Sequence, residues 1–202
     1  AYLTRKYRDI TGLPVEIHTH NDFGLAVATE LAAVGAGAEV VHSCVNGLGE
    51  RTGNAALEEL ILALDLLYGE GTGCDPSALM SLSALVQEIS GVRLAQNKQV
   101  VGSENYTRES GIGVNLVVEE PLAMFATHPA LTGRKGKIVL GKKSGKPSVT
   151  YKLAELGLGD LDDEAAAAVL SEVKRLGNER RGLVGDEDFR AIVARARARA
   201  GK

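Results

Sequence analysis

Residues 13–54 read LPVEIHTHNDFGLAVATELAAVGAGAEVVHSCVNGLGERTGN, and the spacing of apolar residues within them predicts two successive strand–helix units. From Leu13 to His20 the period is two, so Val15, Ile17 and Thr19 face one way while Glu16, His18 and His20 face the other. Leu25 to Val34 is alanine-rich with apolar residues at helical spacing, and Gly35 and Gly37 end it. A second strand, Glu39 to Val45, sets His42, Cys44 and Asn46 on one face. The loop Gly47–Gly53 follows, then a helix from about Asn54 to Tyr68. Strand–helix–strand–helix is the order of a parallel sheet. Polar residues gathered near the C-terminal ends of the strands fit a (β/α) barrel, where active sites sit at those ends. An open doubly wound sheet has the same local pattern, and periodicity does not choose between them.

Beyond Tyr68 the pattern changes. Gly69–Asp75 reads as a glycine-rich turn, and Pro76–Ile89 as a helix capped by Asp75. Residues 91–150 hold short apolar pieces separated by Gly, Pro and Lys. Helices are expected over Lys152–Leu156, Asp160–Leu176 and Asp186–Arg199. The domain division predicted from this change is residues 1–70, the C-terminal part of a barrel domain, and 71–202, a post-barrel linker and small α+β or helical subdomain.

Composition narrows the class. Of 202 residues 45% are hydrophobic and 24% charged, with a net charge of −3, so no excess of positive charge draws the chain to nucleic acid or an anionic membrane. The two cysteines, Cys44 and Cys74, lack CxxC spacing and suit a reducing cytoplasm. The start has no signal-peptide apolar segment and no Met. It reads as the end of a helix, which is the expectation for a C-terminal fragment.

The chemistry centres on two segments. His18 and His20, two apart on a strand, project from one face roughly 6–7 Å apart along the chain, within reach of one divalent cation. A hydrogen-bonded surface pair is the alternative. Asn46–Asn54 is glycine-rich, lets backbone approach a ligand closely, and ends on an amide placed to cap a helix and offer an oxygen inward. It has neither GxGxxG nor Walker spacing. The remaining candidates have simpler readings. His42 is expected to be packed and hydrogen-bonded, Cys44 a small buried residue and His128 a turn residue. The basic cluster from Arg134 to Lys146 is a solvated face or a surface for a CoA phosphate or an acidic partner.

With HxHND, NGxGERxGN and the spacing between them in place, residues 18–60 resemble the last two barrel strands of the 2-isopropylmalate, homocitrate and citramalate synthases. These share a superfamily with 3-hydroxy-3-methylglutaryl-CoA lyase. Gln96–Ile112 resembles the family's post-barrel segment, and Gly141–Lys146 its SG(R/K) element. The resemblance implies a partial (β/α)8 barrel and a metal-dependent, Claisen-type acyltransferase that condenses acetyl-CoA with a 2-oxo acid. It implies His18, His20 and Asn54 as ligands of a divalent metal (Mn, Mg or Zn), and Asn21, Gly49, Glu50 and Arg51 as substrate-binding. Arg108 and Glu109 become candidate catalytic residues of the post-barrel segment. The implied partner is a second copy in a homodimer, or a chain that supplies the N-terminal half of the barrel.

This chain departs from the family pattern in several places. The family's D-x-x-R-D/E motif, source of a third metal ligand and an arginine, has no counterpart in these residues. Arg108 stands where the family carries a histidine, and an arginine cannot serve as general base near neutral pH, although it can bind a carboxylate or phosphate. A second family histidine is replaced within Gly111–Asn115, and a tyrosine near Met124–Phe125. A lyase of the same superfamily and a non-catalytic interaction module with a vestigial site are the alternative readings.

Overall fold

A computed structural model describes residues 1–200, with the side chain of Ala200 excepted. The described chain divides into two compact units, Ala1–Asn105 and the residues from Tyr106 on.

The first unit opens with α1 (Tyr2–Thr11), closed by Gly12 in the left-handed conformation. Next come β1 (Glu16–Ile17), α2 (Ala26–Val34), β2 (Val40–Val41) and α3 (Leu57–Ala63), which runs into a π-helical turn over Leu64–Tyr68. β1 and β2 pair in parallel, Glu16 opposite Val40 and Ile17 opposite Val41, as a right-handed crossover through α2 would give. The regular ladder is far shorter than the strands read from the sequence. Beyond Ile17 the partners diverge: His20 bridges Asn54, and Cys44 bridges Ala56, so the loop before α3 takes over the backbone groups at both strand ends. The helix expected from Asn54 starts at Leu57, because Asn54–Ala56 is occupied by those bridges.

α4 (Leu79–Ser90) follows a 3₁₀ turn at Pro76–Ala78, and the Asp75 carboxylate accepts the Ser77 N–H at 2.9 Å, the cap expected from the sequence. Its Leu79 joins Ile61, Leu62 and Val101 in one apolar cluster. This packing is why the first unit extends to Asn105, well past the change of pattern near residue 70: α4 and the segment after it cover α3.

The second unit holds β3 (Thr107–Arg108), α5 (Val114–Glu119), β4 (Lys137–Ile138), α6 (Lys146–Glu155), α7 (Asp163–Arg180) and α8 (Asp186–Ala200). β3 and β4 pair in parallel, so residues 91–150, irregular in the sequence, contain a small ladder. α6 starts six residues before the helix expected at Lys152. Pro147 in its first turn and the Ser148 hydroxyl, which accepts the Gly145 N–H, form its start. Asp162 caps α7 through the Ala165 N–H at 2.7 Å. The core of the unit is Leu140, Val149, Val169, Val173, Phe189 and Val193, all under 3% exposed. Among the described residues no helix is long and apolar enough to cross a membrane.

Candidate functional site

The site is built where β1 and β2 give way to their loops. His18 and His20 project from one face of the β1 extension, and their Nε2 atoms stand 3.3 Å apart, with ring planes at 83°. Two nitrogens on one metal at ~2.0–2.1 Å, set at right or tetrahedral angles, would be about 2.8–3.4 Å apart. That separation fits a shared cation, and equally a direct hydrogen bond between the two rings, the donor being set by their tautomers. His20 Nδ1 is buried without a partner. The His18 ring also lies 5.4 Å from that of His42, but His42 Nε2 is taken by Glu16 Oε1 at 2.6 Å, so His42 is hydrogen-bonded as its sequence reading expects, though exposed rather than packed. Among the described residues no group of three or more His, Cys, Asp or Glu side chains is arranged to hold a metal ion.

Asn54 pairs with His20 through the backbone bridge. Its amide nitrogen donates to the Leu48 carbonyl at 3.1 Å and to Cys44 Sγ at 3.2 Å, which fixes the orientation of the amide. Its Oδ1 is then buried with no hydrogen-bond partner. An orphaned acceptor costs on the order of 1–3 kcal/mol unless something meets it, and a cation ligand is one such partner.

The loop between these residues is held tightly. A β-carbon at Gly49 would overlap the Asn54 amide, and one at Gly53, where φ is +84°, would overlap the Gly47 carbonyl oxygen. The close approach at Gly49 is to the Asn54 side chain of the same loop. The Arg51 guanidinium forks onto both oxygens of Asp22 at 3.0 and 3.1 Å, and this bond holds the Asp22 carboxyl below its ordinary range. Asn21 is used structurally: its Oδ1 accepts the Ala26 N–H at the start of α2, and its own N–H donates to the Gly53 carbonyl. Glu50 is exposed at the loop's outer turn.

Two residues that sequence reasoning passed over stand beneath these loops. Glu30 on α2 is fully buried and bonded to the Thr19 hydroxyl at 2.8 Å; Glu58 on α3, 2% exposed, accepts the N–H of Asn46 at 2.9 Å. Asn46 sits at φ +63°, a left-handed conformation that the Glu58 bond supports. Burial pushes both carboxyls above the usual glutamate range. Lys98 approaches Glu58 at 3.9 Å and pairs with Glu59. The available signal was a glutamate at a helix position where the periodicity places apolar residues.

Arg108 and Glu109 lie in the second unit. Arg108 directs Nε and Nη2 at the Ile112 carbonyl, at 3.1 and 3.0 Å. Glu109 Oε1 accepts the Lys143 N–H at 2.9 Å, tying the glutamate to the Gly141–Lys146 element. Both head groups therefore brace loops of their own unit. His128 Nδ1 accepts the Ala130 N–H, as a turn residue does, and Arg134 covers the Tyr106 ring at 4.9 Å.

Residues 2–86 match the HMGL-like family model, and residues 100–181 match the homocitrate synthase post-HMGL domain-like model. Homocitrate synthase AksA of Methanopyrus kandleri is 46% identical over 188 residues, which is 93% of this chain and 47% of that protein. The 2-isopropylmalate synthase of Methanocaldococcus jannaschii is 40% identical, over 95% of this chain and 38% of its own length. A putative (R)-citramalate synthase, CimA, of Methanopyrus kandleri is 42% identical, over 94% and 37%. The chain spans half or less of the length of these curated relatives. With both domain types in one order along it, the chain belongs to the family of homocitrate, 2-isopropylmalate and citramalate synthases, whose HMGL-like domain is of the TIM-barrel kind.

Proposed function

We propose that this chain is the C-terminal portion of an acyltransferase that condenses acetyl-CoA with a 2-oxo acid. The observation that carries the proposal is the convergence of the His18 and His20 Nε2 atoms at 3.3 Å, beside a buried Asn54 oxygen without a partner. These three side chains are assigned to a divalent cation, with Mn, Mg and Zn the candidates. When bound, such an ion supplies Lewis acidity toward the carbonyl and carboxylate of a 2-oxo acid.

The chain's own residues prepare that place. His18 and His20 bring their Nε2 atoms together, and the Leu48 and Cys44 bonds turn the oxygen, not the nitrogen, of Asn54 inward. Asn21 and the Asp22–Arg51 pair hold the two loops as a rim, while Gly49 lets that rim close on Asn54. Glu50, exposed and without an ion pair among the described residues, is assigned to substrate contact. Arg108 and Glu109 are assigned to the post-barrel contribution, with Arg108 offering its remaining N–H groups to a carboxylate or CoA phosphate.

The match of residues 100–181 to a homocitrate synthase domain favours condensation over carbon–carbon cleavage. Two imidazoles and an amide carry no negative charge, so the chain by itself is expected to hold a cation weakly. A second copy, or a chain that supplies the first half of the barrel, would complete the site. The test uses a longer protein that contains the remaining strands and releases CoA from acetyl-CoA in the presence of a 2-oxo acid. There, replacing His18 and His20 together by Ala is expected to lower both metal content and CoA release on the order of 100-fold or more. Unchanged metal content in that variant would remove the ligand assignment.

A further inference from the structure

Thr19 is the residue between the two histidines, and its side chain is turned away from them into the first unit. Its hydroxyl lies 2.8 Å from Glu30 Oε1 and 3.3 Å from the Ala26 carbonyl oxygen. A threonine has one hydroxyl proton to give, so it cannot donate to both oxygens. If the Glu30 carboxyl carries a proton on Oε1, Glu30 donates to Thr19 and Thr19 donates to Ala26, and both short contacts become hydrogen bonds. Glu30 is 0% exposed and its Oε2 has no partner, an arrangement much less costly for a neutral acid than for a carboxylate. Burial pushes the Glu30 carboxyl up, toward that neutral form.

The location gives this link its consequence. The β1 ladder ends at Ile17 and the next backbone bridge is at His20. Between them the Thr19 hydroxyl ties the strand to α2. Rotation of the strand about its axis at this point would swing the two imidazoles apart, because both leave the backbone from the face opposite Thr19.

We propose that Glu30 is a positioning residue for the His18–His20 pair, acting through the Thr19 hydroxyl. Its importance for catalysis rests on the metal-ligand reading above, and the experiment separates the two. In the 202-residue chain, nuclear Overhauser contacts between the His18 and His20 ring protons report convergence without any metal, and Co²⁺ titration followed by absorption reports ligation. Thr19→Ser and Glu30→Gln keep a hydroxyl and a donor, and are expected to retain both the ring contact and the wild-type Co²⁺ affinity. Thr19→Val and Glu30→Met keep the volume but not the hydrogen bonds. They are expected to lose the ring contact and to weaken Co²⁺ binding about 10- to 100-fold. A role in packing alone predicts no difference between Glu30→Gln and Glu30→Met. Should Glu30→Met fail to fold, Thr19→Val decides, since valine reproduces the shape of threonine. Ring contacts that persist in the folded Val and Met variants would overturn the proposal. If the contacts respond as expected but Co²⁺ affinity does not change with them, the positioning role stands, and the ligand assignment is decided by the metal content of the His18 and His20 variant in the longer protein.

Discussion

At the scale of single residues, the site depends on buried polar groups that each keep an atom without a partner, among them His20 Nδ1, Glu30 Oε2 and Asn54 Oδ1. Glu30 and Glu58 each sit on the helix after a strand and grip the loop at that strand's end, one through Thr19 and one through the Asn46 N–H. Their ionisation has a consequence for stability. Because the folded-state value of Glu30 lies above its ordinary 4.5, its contribution is fully present below that value and is lost as pH rises through the folded value. Glu30→Gln has no such loss. Its stability in urea relative to wild type is therefore expected to improve as pH climbs from below 4.5 to neutrality, and the improvement to vanish again in acid. A difference that is the same at every pH would mean that Glu30 titrates like an exposed glutamate. Glycine positions matter at this scale too. Gly53→Ala forces a β-carbon against the Gly47 carbonyl at a positive φ, so the loop must shift. That substitution is expected to lower thermal stability by several degrees and, in a longer active protein, CoA release with it. An unchanged melting temperature would contradict the close approach.

Elements were legible in proportion to how far local sequence determines them. The helices α2, α4, α7 and α8 follow their apolar spacing; Asp75 caps as read, whereas α7, expected over Asp160–Leu176, runs from Asp163 to Arg180 with Asp162 as its cap. The strands were legible only as positions, since the ladder length depends on which neighbours are present. Only two residues of each strand pair regularly, and the loop before α3 claims the rest. In the second unit, α7 ends on Arg181 in the left-handed conformation, at φ 51° and ψ 39°. A β-carbon there costs about 1 kcal/mol or more relative to glycine. Since the Arg181 side chain has no bonded partner among the described residues, Arg181→Gly is expected to stabilise the second unit by about 1 kcal/mol in chemical denaturation. Phe189→Ala, at a fully buried core position of α8, is expected to cost about 3–5 kcal/mol by the same measurement. A loss under about 1 kcal/mol would mean that α8 is not packed as described.

For the whole molecule, what matters is the apolar surface that the first unit leaves open. The sheet of β1 and β2 contains two strands against the eight of a closed barrel. Around it Tyr2, Tyr7, Ile10, Leu13 and Phe23 are all at least 60% exposed. Open strand edges and large apolar patches promote association. The isolated chain is expected to sediment as concentration-dependent oligomers and to bind a hydrophobic dye. Co-expression with a segment carrying the remaining barrel strands should suppress both. A monodisperse monomer at high concentration that does not bind dye would show that this surface needs no cover.

The sequence by itself determined the strand–helix order, the Asp75 cap, the pairing of His18 with His20 on one face and the family, because these depend on periodicity, local hydrogen bonds and contiguous motifs. The partners that hold the Asn54 nitrogen, the burial of Glu30 and Glu58, the bracing of Arg108 and Glu109 on their own loops and the extent of the first unit were decided only by the tertiary structure. Each of these depends on groups far apart in the chain competing for the same few hydrogen-bond partners and the same apolar cover, and no local pattern encodes the winner.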